Sequence, residues 1–527
     1  MNTKVQRGYF SLSLYKEALA QLALPGFLLA GILIAGTLLS SWETLSWYLF
    51  LPEEASFGMS TLDISEAWTF IPVYIWVAPF LLTVLAFDFL RSRKKSDYYH
   101  AVPAKRSTLF FSYTAAIVSW LIATVFIAMA LGGGLFAAVG VGANWSFAAI
   151  LGLEFLAAML FALAIALLAV TLSGTLFSTA VLINVFLWLP LLAAALFRRG
   201  VLSIVPTLPS SAVSFFGLDA NITLFAVFRF VDFAEISSTL TDAAWTLLIA
   251  LAVFAAASFF FVRRKSEMAG NSAPSNRMQT LYRISVALPP LLLVFSTVGL
   301  HWFFLAFTIG LTAPQFLFSP TMILPLIAAG VIALISMSAF ELISTRTWRN
   351  LLKVPLSFAA ALAVSCVFVF SIWAVATFEA SFTPSADEIE KVRIVEPYDP
   401  YGFLTLPPDA WISDSEAGSQ QGELRRVLND FIENETYIRD QEVITLIADE
   451  LAQRRVSRSP FVEAVDIFEV FFFDAFSFDA AERLVVEIHT HNGVTRQRVF
   501  SYGNHNWSAS GLRINELGEA LIKAATD

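Results

Sequence analysis

The side chains best suited to bind a partner are concentrated between two apolar runs, from Phe87 to Phe110 (FDFLRSRKKSDYYHAVPAKRSTLF), which we call the basic segment. A Lys or Arg at the centre of a bilayer costs roughly 2.5 to 3.5 kcal/mol, so this segment must lie in water beside the membrane. Its excess of cations places it on the cytoplasmic side. Ser96 or Asp97 would cap a short helix through His100, and Pro103 would end that helix. The sequence therefore predicts a short cytoplasmic helix between two membrane spans.

Sequence motifs of catalysis and nucleotide binding are absent. The sequence has no GxxxxGK[ST] phosphate loop and no Gly-Lys pair, so the chain is not expected to bind ATP in the usual way. Neither CxxC nor HExxH occurs. His489 and His491 fall on one face of a predicted strand, with His505 nearby, and these side chains would suit a metal ion. A solvated strand face is the favoured interpretation, and we predict no metal site, no catalytic residue and no enzyme activity.

Carboxylates are scarce in the apolar runs. Asp88 and Glu341 fall at predicted cytoplasmic ends of spans, and Glu154 falls near the outer end of another. A carrier driven by protons is expected to bury several ionisable groups at mid-membrane. We therefore expect the energy for any transport to come from elsewhere.

Composition identifies an integral membrane protein, since 57% of the 527 residues are hydrophobic and 14% are charged, against about a quarter charged in soluble domains. Runs of roughly 20 apolar residues cross about 30 Å of hydrocarbon. They predict a polytopic α-helical protein with about nine transmembrane helices, near 25–41, 68–89, 108–139, 147–173, 177–197, 243–262, 285–311, 320–343 and 354–378. No small-residue cleavage site follows the first run cleanly, so we expect it to be retained.

The distribution of Lys and Arg predicts the orientation of the spans. With the N-terminus in the cytoplasm, basic loops alternate with loops that contain neither Lys nor Arg, such as 42–67 and 312–319. The exception is the loop at 198–242, which contains three arginines and is interrupted by Pro206 and Pro209. Short re-entrant helices or a plain surface loop would each account for it. Nine spans then place the C-terminal region outside the cytoplasm.

The sequence divides into four predicted parts. These are a six-span core with an N-terminal interfacial helix (1–262), a cytoplasmic linker (263–283), three additional spans (284–378) and an acidic extracytoplasmic domain (379–527). The interfacial helix is predicted over Ser11 to Leu24, although a polar extension of the first span fits equally well. The part from Glu379 onward contains 13 Lys and Arg and 27 Asp and Glu. Its net charge is therefore −14, compared with −9 for the whole chain.

The acidic part predicts a small α+β domain. Strands are predicted in KVRIVEP, GFLTLP, EAVDIFEVFFF, LVVEIHTH and RQRVFSYG, with a hairpin turn at His491 to Gly493. Helices are predicted over Glu423 to Asn434, Asp440 to Arg454 and Gly511 to Ala525. Cys366 is the one cysteine of the chain, so no intrachain disulfide is possible.

The string YYHAVPAKRSTLFFS after a span ending FDFLRSRKKS resembles the loop between the second and third spans of bacterial ABC transporter permeases of the type-2 exporter class. More narrowly, it resembles members with additional spans and an extracytoplasmic C-terminal domain. The resemblance covers roughly the first 262 residues. It implies a coupling helix docked on a separate ATPase subunit, and the residues predicted to couple are Arg91, Arg93, Lys94, Lys95, Asp97, Tyr98, Tyr99, His100, Pro103, Lys105 and Arg106.

A second loop, FELISTRTWRNLLKVPL, resembles the first, with a carboxylate at the end of a span, cations, and Val-Pro before the next span. Glu341, Arg346 and Arg349 are therefore candidates for a second contact with the ATPase. Coincidence under the bias towards cytoplasmic cations is the favoured account.

The resemblance predicts a permease subunit in the bacterial plasma membrane that exports an amphipathic cargo such as a peptide, lipid or drug. ATP and Mg²⁺ would bind the partner ATPase, and a second permease chain, identical or different, would complete the transporter. No nucleic-acid partner and no cofactor bound by this chain are predicted. The alternative is a membrane sensor or scaffold whose acidic domain binds a ligand without transport, since a charge of −14 can steer cationic ligands.

Overall fold

The structure is a computed structural model. It describes residues 8–50, 68, 70–101, 104–139, 145–205, 208, 240–299, 320–398, 431, 436–454, 481–506, 511–514 and 516–526. The elements described below lie in these ranges, and most of them are helical.

Eleven helices precede the first strand in the described residues. They are α1 (Leu12–Gln21), α2 (Ala23–Phe50), α3 (Phe70–Ala86), α4 (Arg93–Ala101), α5 (Arg106–Val139), α6 (Trp145–Leu172), α7 (Leu176–Ile204), α8 (Leu240–Arg263), α9 (Asn276–Val294), α10 (Pro320–Thr345) and α11 (Val354–Ala380). Short 3₁₀ turns lie at Asp88–Leu90, Ser266–Met268, Trp348–Lys353 and Ala386–Glu388, and a π-helical turn follows α9 at Phe295–Gly299.

Within the described residues, eight helices are long and apolar enough to cross a membrane. They match eight of the predicted spans, and the remaining one, predicted at 68–89, contains the shorter apolar helix α3 of 17 residues. At about 1.5 Å per residue, α3 is about 26 Å long. The seventh span, predicted at 285–311, begins earlier, at Asn276, and its residues 300–311 lie outside the described ranges. The chain is a polytopic helical membrane protein.

The described chain divides into two compact units. One comprises Met1–Leu192, Gly217–Pro290 and Gly330–Leu362, and the other comprises Ala193–Phe216, Leu291–Ala329 and Ala363–Asp527. The four parts predicted from composition stay a prediction.

In the first unit, α6 packs against α3 and α8. The contact face of α6 is rich in buried alanines, including Ala158, Ala162 and Ala169. Small side chains let neighbouring helices approach closely, which is how helices gain packing energy where lipid offers no hydrophobic driving force. Glu154 is also buried in α6. The sequence of α6 therefore suits a helix surrounded by other helices.

The N-terminal helix α1 is separate from α2, with Leu22 between them. Pro25 and Gly26, which favour a break, lie instead in the first turn of α2. A proline is tolerated there because the N–H that it lacks would have no acceptor within the helix. Helix α1 packs on α5. Its position at the membrane interface stays a prediction.

In the second unit, five strands form one antiparallel sheet with the order β2-β1-β3-β4-β5. The strands are β1 (Ile389–Tyr398), β2 (Tyr437–Ile438), β3 (Ala481–Thr490), β4 (Thr495–Asn506) and β5 (Gly511–Ile514). Two helices, α12 (Gln441–Arg454) and α13 (Glu516–Thr526), pack with the sheet around a core that includes Val486, Ile488 and Phe500. This is the α+β domain that the sequence predicts.

Some details of this domain match the predictions and others do not. The turn after β3 is confirmed, with Gly493 at φ 77° and its N–H donating to Thr490 at 2.9 Å. The helix predicted from Gly511 is wrong at its start, because 511–514 pair with β4 as β5. The strands predicted in GFLTLP and EAVDIFEVFFF lie outside the described residues, as does almost all of the helix predicted from Glu423.

Candidate functional site

The predicted short helix in the basic segment is α4, but it begins earlier than the predicted caps. The N–H of Ser96 donates to the carbonyl of Ser92 at 2.8 Å, so Ser96 and Asp97 lie inside the helix rather than at its start. Ser96 is 2% exposed and packs inward. Pro103 lies outside the described residues, as does the side chain of His100.

One side of α4 is anchored to neighbouring elements through Tyr99. Its ring stacks on Phe89 at 4.3 Å between centroids, and its hydroxyl donates to Glu17 of α1 at 3.3 Å. The hydroxyl of Tyr113 in α5 donates to that of Tyr99, also at 3.3 Å. Burial is the main cause that raises the pKa of Tyr99, so it stays a neutral donor at physiological pH. Tyr99 thus joins α4 to α1 and α5.

The other side of α4 is exposed. Tyr98 is 70% exposed, and Lys94, Lys95 and Asp97 are exposed beside it. Exposed tyrosines are common in protein-binding surfaces, because the ring buries a large area with little loss of conformational entropy. We call this set of four residues the α4 face.

Asp88 ties the start of the basic segment together. Its carboxylate accepts hydrogen bonds from Arg91 and from Lys95, the latter at 2.6 Å. Burial alone would raise the pKa of Asp88, but the hydrogen bond from Lys95 and the charge of Arg91 outweigh it and hold the pKa below its usual value. Arg91 also donates to the carbonyl of Val84 at 3.1 Å, at the end of α3.

Two further predicted residues bind the end of α8 and the stretch 264–275 between α8 and α9, which is called the linker from here on. Arg93 donates to the carbonyl of Ala269 at 3.4 Å. Arg106 donates to the carbonyl of Val262 at 3.2 Å and to that of Arg264. Arg91, Arg93 and Arg106 therefore join elements of the structure. Lys94 and Lys105 are exposed, and Lys95 is exposed although it binds Asp88.

The buried guanidinium of Arg264 is a feature that sequence reasoning missed. Arg264 is 4% exposed and donates to four backbone carbonyls: those of Val170, Thr171 and Ser173 at 2.6 to 2.8 Å, and that of Leu90 at 3.0 Å. Carbonyls at a helix C-terminus lack intrahelical donors and attract cations. Burial lowers the pKa of Arg264 to about 10, so it remains charged at neutral pH. We call Arg264 and its four acceptors the Arg264 brace.

Two glycines complete the junction beside the brace. The N–H of Gly174 donates to Asn271 at 2.9 Å, and the N–H of Gly270 donates to Gly174 at 3.0 Å. A Cβ atom at position 174 would lie 2.0 Å from the carbonyl oxygen of Met268 and 2.5 Å from that of Asn271. The turn after α6 therefore requires glycine at 174 for close approach to the linker.

The second predicted contact separates into a buried part and an exposed part. Glu341 is fully buried and forms an ion pair with Arg283, with two bonds of 2.7 and 2.9 Å, so its carboxylate is not accessible to a partner protein. Arg346 and Arg349 are exposed after the end of α10. Arg346 has φ 56°, a left-handed conformation that favours glycine. A second contact through Arg346 and Arg349 stays a prediction.

Among the residues that the structure describes, no group of three or more His, Cys, Asp or Glu is placed to hold a metal ion. His489 lies on β3, where its imidazole is 2.7 Å from Glu487, whereas His491 lies in the turn. The predicted shared strand face for the two histidines is therefore wrong.

The fold defines a class, that of polytopic helical membrane proteins that carry a small α+β domain. Comparison with known proteins finds no matching family model, no matching curated protein and no matching solved structure. The function must therefore be argued from the residues of this chain.

Proposed function

We propose that this chain is the membrane-spanning permease subunit of an ATP-driven ABC transporter of the type-2 exporter class, with an amphipathic cargo. In this proposal a separate ATPase binds the α4 face, and ATP and Mg²⁺ bind that ATPase. The observation that carries the proposal is the two-sided character of α4. Tyr98 and its charged neighbours are accessible, while Tyr99 one residue away is fixed to α1 and α5.

A coupling element must transmit force as well as bind. Tyr99 contacts Phe89 in the 3₁₀ turn, and the adjoining Leu90 is held by the Arg264 brace, which also holds the end of α6. A displacement of α4 would therefore be carried to the ends of α1, α5 and α6 rather than absorbed by a loose loop. A partner shifts a conformational equilibrium only through contacts that differ between the two states. The α4 face supplies exposed groups for such contacts.

The test is a pulldown of the tagged full-length chain from its native membrane in mild detergent, with mass spectrometry of the proteins recovered. We expect a soluble subunit with a phosphate-loop motif to be recovered with the wild-type chain. Tyr98→Ala should reduce its recovery at least tenfold, because truncation of an aromatic anchor at the centre of an interface costs about 2 kcal/mol or more.

Tyr9→Ala is the matched control. Tyr9 is 73% exposed, close to the 70% of Tyr98, but it lies outside α4. Equal loss in both variants would contradict the role of the α4 face. If no ATPase is recovered with any variant under conditions that preserve known complexes, the transporter proposal fails. The sensor or scaffold alternative would then account better for the acidic domain.

A further inference from the structure

A polar cavity of about 410 Å³ lies between the linker, the start of α9 and the end of α10. Ligand sites in proteins commonly measure about 300 to 1,000 Å³, so this volume suits a small polar group. Gly270 to Asn276 form one wall, and Ser344, Thr345, Asn350 and Lys353 form another. None of the residues predicted to couple in the basic segment is among the lining residues of this cavity.

The walls of the cavity are fixed by a buried polar network. Gln279 donates to Glu341 at 2.8 Å and to Ser344 at 3.1 Å, and it accepts from Ser272 at 2.8 Å. Arg283, which is 3% exposed, holds the Glu341 carboxylate with two bonds. A buried network whose members are bonded to one another makes a rigid structure. The cavity is therefore preformed in this chain.

The charge of the lining favours an anion. Among the described residues that line the cavity, Glu341 is the one acidic side chain, and Arg283 neutralises it. Lys353 then leaves a net positive charge, and its side chain is exposed. Helix α9, of 19 residues, also starts at the cavity with Asn276, so its first N–H groups add positive potential. The N–H of Met278 in this first turn donates to the Ser275 hydroxyl at 3.3 Å, so the start of α9 acts on an anion through its potential.

The surroundings of Lys353 identify the source of the anion. Three large apolar side chains on its stretch of chain are strongly exposed: Trp348 at 75%, Leu352 at 86% and Leu356 at 80%. In a chain that spans a membrane, tryptophan and leucine beside a cation mark the boundary between headgroups and acyl chains. These exposed side chains would suit the acyl chains of a lipid whose phosphate enters the cavity.

We propose that this cavity binds the headgroup phosphate of an anionic phospholipid, with Lys353 and the start of α9 as its main contacts. The bound headgroup would join the linker to the end of α10. This inference goes beyond the proposed transporter function and does not depend on it.

The experiment uses the full-length chain, purified in detergent and depleted of lipid, and follows its thermal unfolding. Phosphatidylglycerol, phosphatidylcholine and inorganic phosphate are added in separate titrations. We expect saturable stabilisation by phosphatidylglycerol and little by the other two. Lys353→Gln should raise the half-saturating concentration about fivefold, the effect of one basic residue at a membrane surface.

Lys265→Gln is the matched control, because Lys265 is also exposed but does not line the cavity. It should leave the titration unchanged. Asn350→Asp, which keeps the size of a lining side chain and adds a negative charge, should also weaken the response. An equal response to both lipids, or an unchanged titration in both cavity variants, would overturn the proposal. Stabilisation by inorganic phosphate alone would overturn the assignment to a lipid.

Discussion

Removal of the guanidinium of Arg264 should destabilise the protein more than removal of any neighbouring exposed cation. The Arg264 brace satisfies four backbone carbonyls. A buried acceptor left without a donor costs about 1 to 3 kcal/mol, which would total about 4 to 12 kcal/mol if water replaced none of the bonds. All of these groups are buried in the wild-type chain, but local rearrangement in the variant would give some of the carbonyls other donors. We therefore expect Arg264→Met to cost about 3 to 5 kcal/mol.

The assay is thermal unfolding of the full-length chain in detergent, with Arg264→Lys and Arg263→Met for comparison. A lysine ammonium has three donors and can replace part of the network, so its cost should be about half that of methionine. Arg263 is exposed and lies over the ring of Phe259 at 3.9 Å, so its loss should cost about 0.5 to 1 kcal/mol. If Arg264→Met and Arg263→Met lowered the unfolding temperature equally, the brace would not contribute as described.

Three further changes test other parts of the structure. Gly174→Ala should cost about 1 to 3 kcal/mol in the same unfolding assay, because the new Cβ would overlap two carbonyl oxygens. Arg283→Met should cost about 3 to 5 kcal/mol, since it leaves the buried carboxylate of Glu341 unpaired, and adding Glu341→Leu should recover most of that loss. Hydrogen-exchange protection of β3, corrected for intrinsic rates, should be constant above about pH 5 and fall below about pH 4. Although burial opposes it, the hydrogen bond from Arg393 holds the pKa of Glu487 below its usual value, so protonation of Glu487 in acid removes this stabilisation.

Each of these changes has a control in the chain. Gly134→Ala places a Cβ in open space within α5 and should be neutral or slightly stabilising. The Arg283 and Glu341 effects should be far from additive, because the two side chains are in contact. Glu487→Gln should flatten the pH dependence of β3. A pH profile unchanged by that substitution would show that another group is responsible.

The helical spans could be predicted because apolar runs of the required length have few alternatives in a membrane. The position of the basic segment outside the spans could be predicted because its cations exclude it from hydrocarbon. The start of α4 could not be predicted. The rule for helix N-caps considers only local side chains, whereas α4 begins shortly after the 3₁₀ turn at Asp88–Leu90. Ser96, the expected cap, is buried within the helix instead.

Long-range contacts account for the rest of what sequence reasoning missed. Arg264 is 94 residues from Val170 and 174 from Leu90, so nothing local to Arg264 distinguishes it from the exposed Arg263. The sequence predicts Glu341 at an accessible loop, but its partner Arg283, which buries it, lies 58 residues earlier. In the α+β domain, the sequence of β5 predicts the start of a helix, because its strand character depends on pairing with β4.

The Arg264 brace also imposes an order on the maturation of the chain. The carbonyls of Val170 and Leu90 accept from the guanidinium of Arg264, which is synthesised 94 residues after Val170 and 174 residues after Leu90. At about 5 to 20 residues per second, synthesis takes about 5 to 20 s to cover the first interval and about 9 to 35 s to cover the second. Throughout that time the end of α6 and the turn after α3 depend on water or on the insertion machinery. The fastening of these two ends is therefore a late event, set by the arrival of α8.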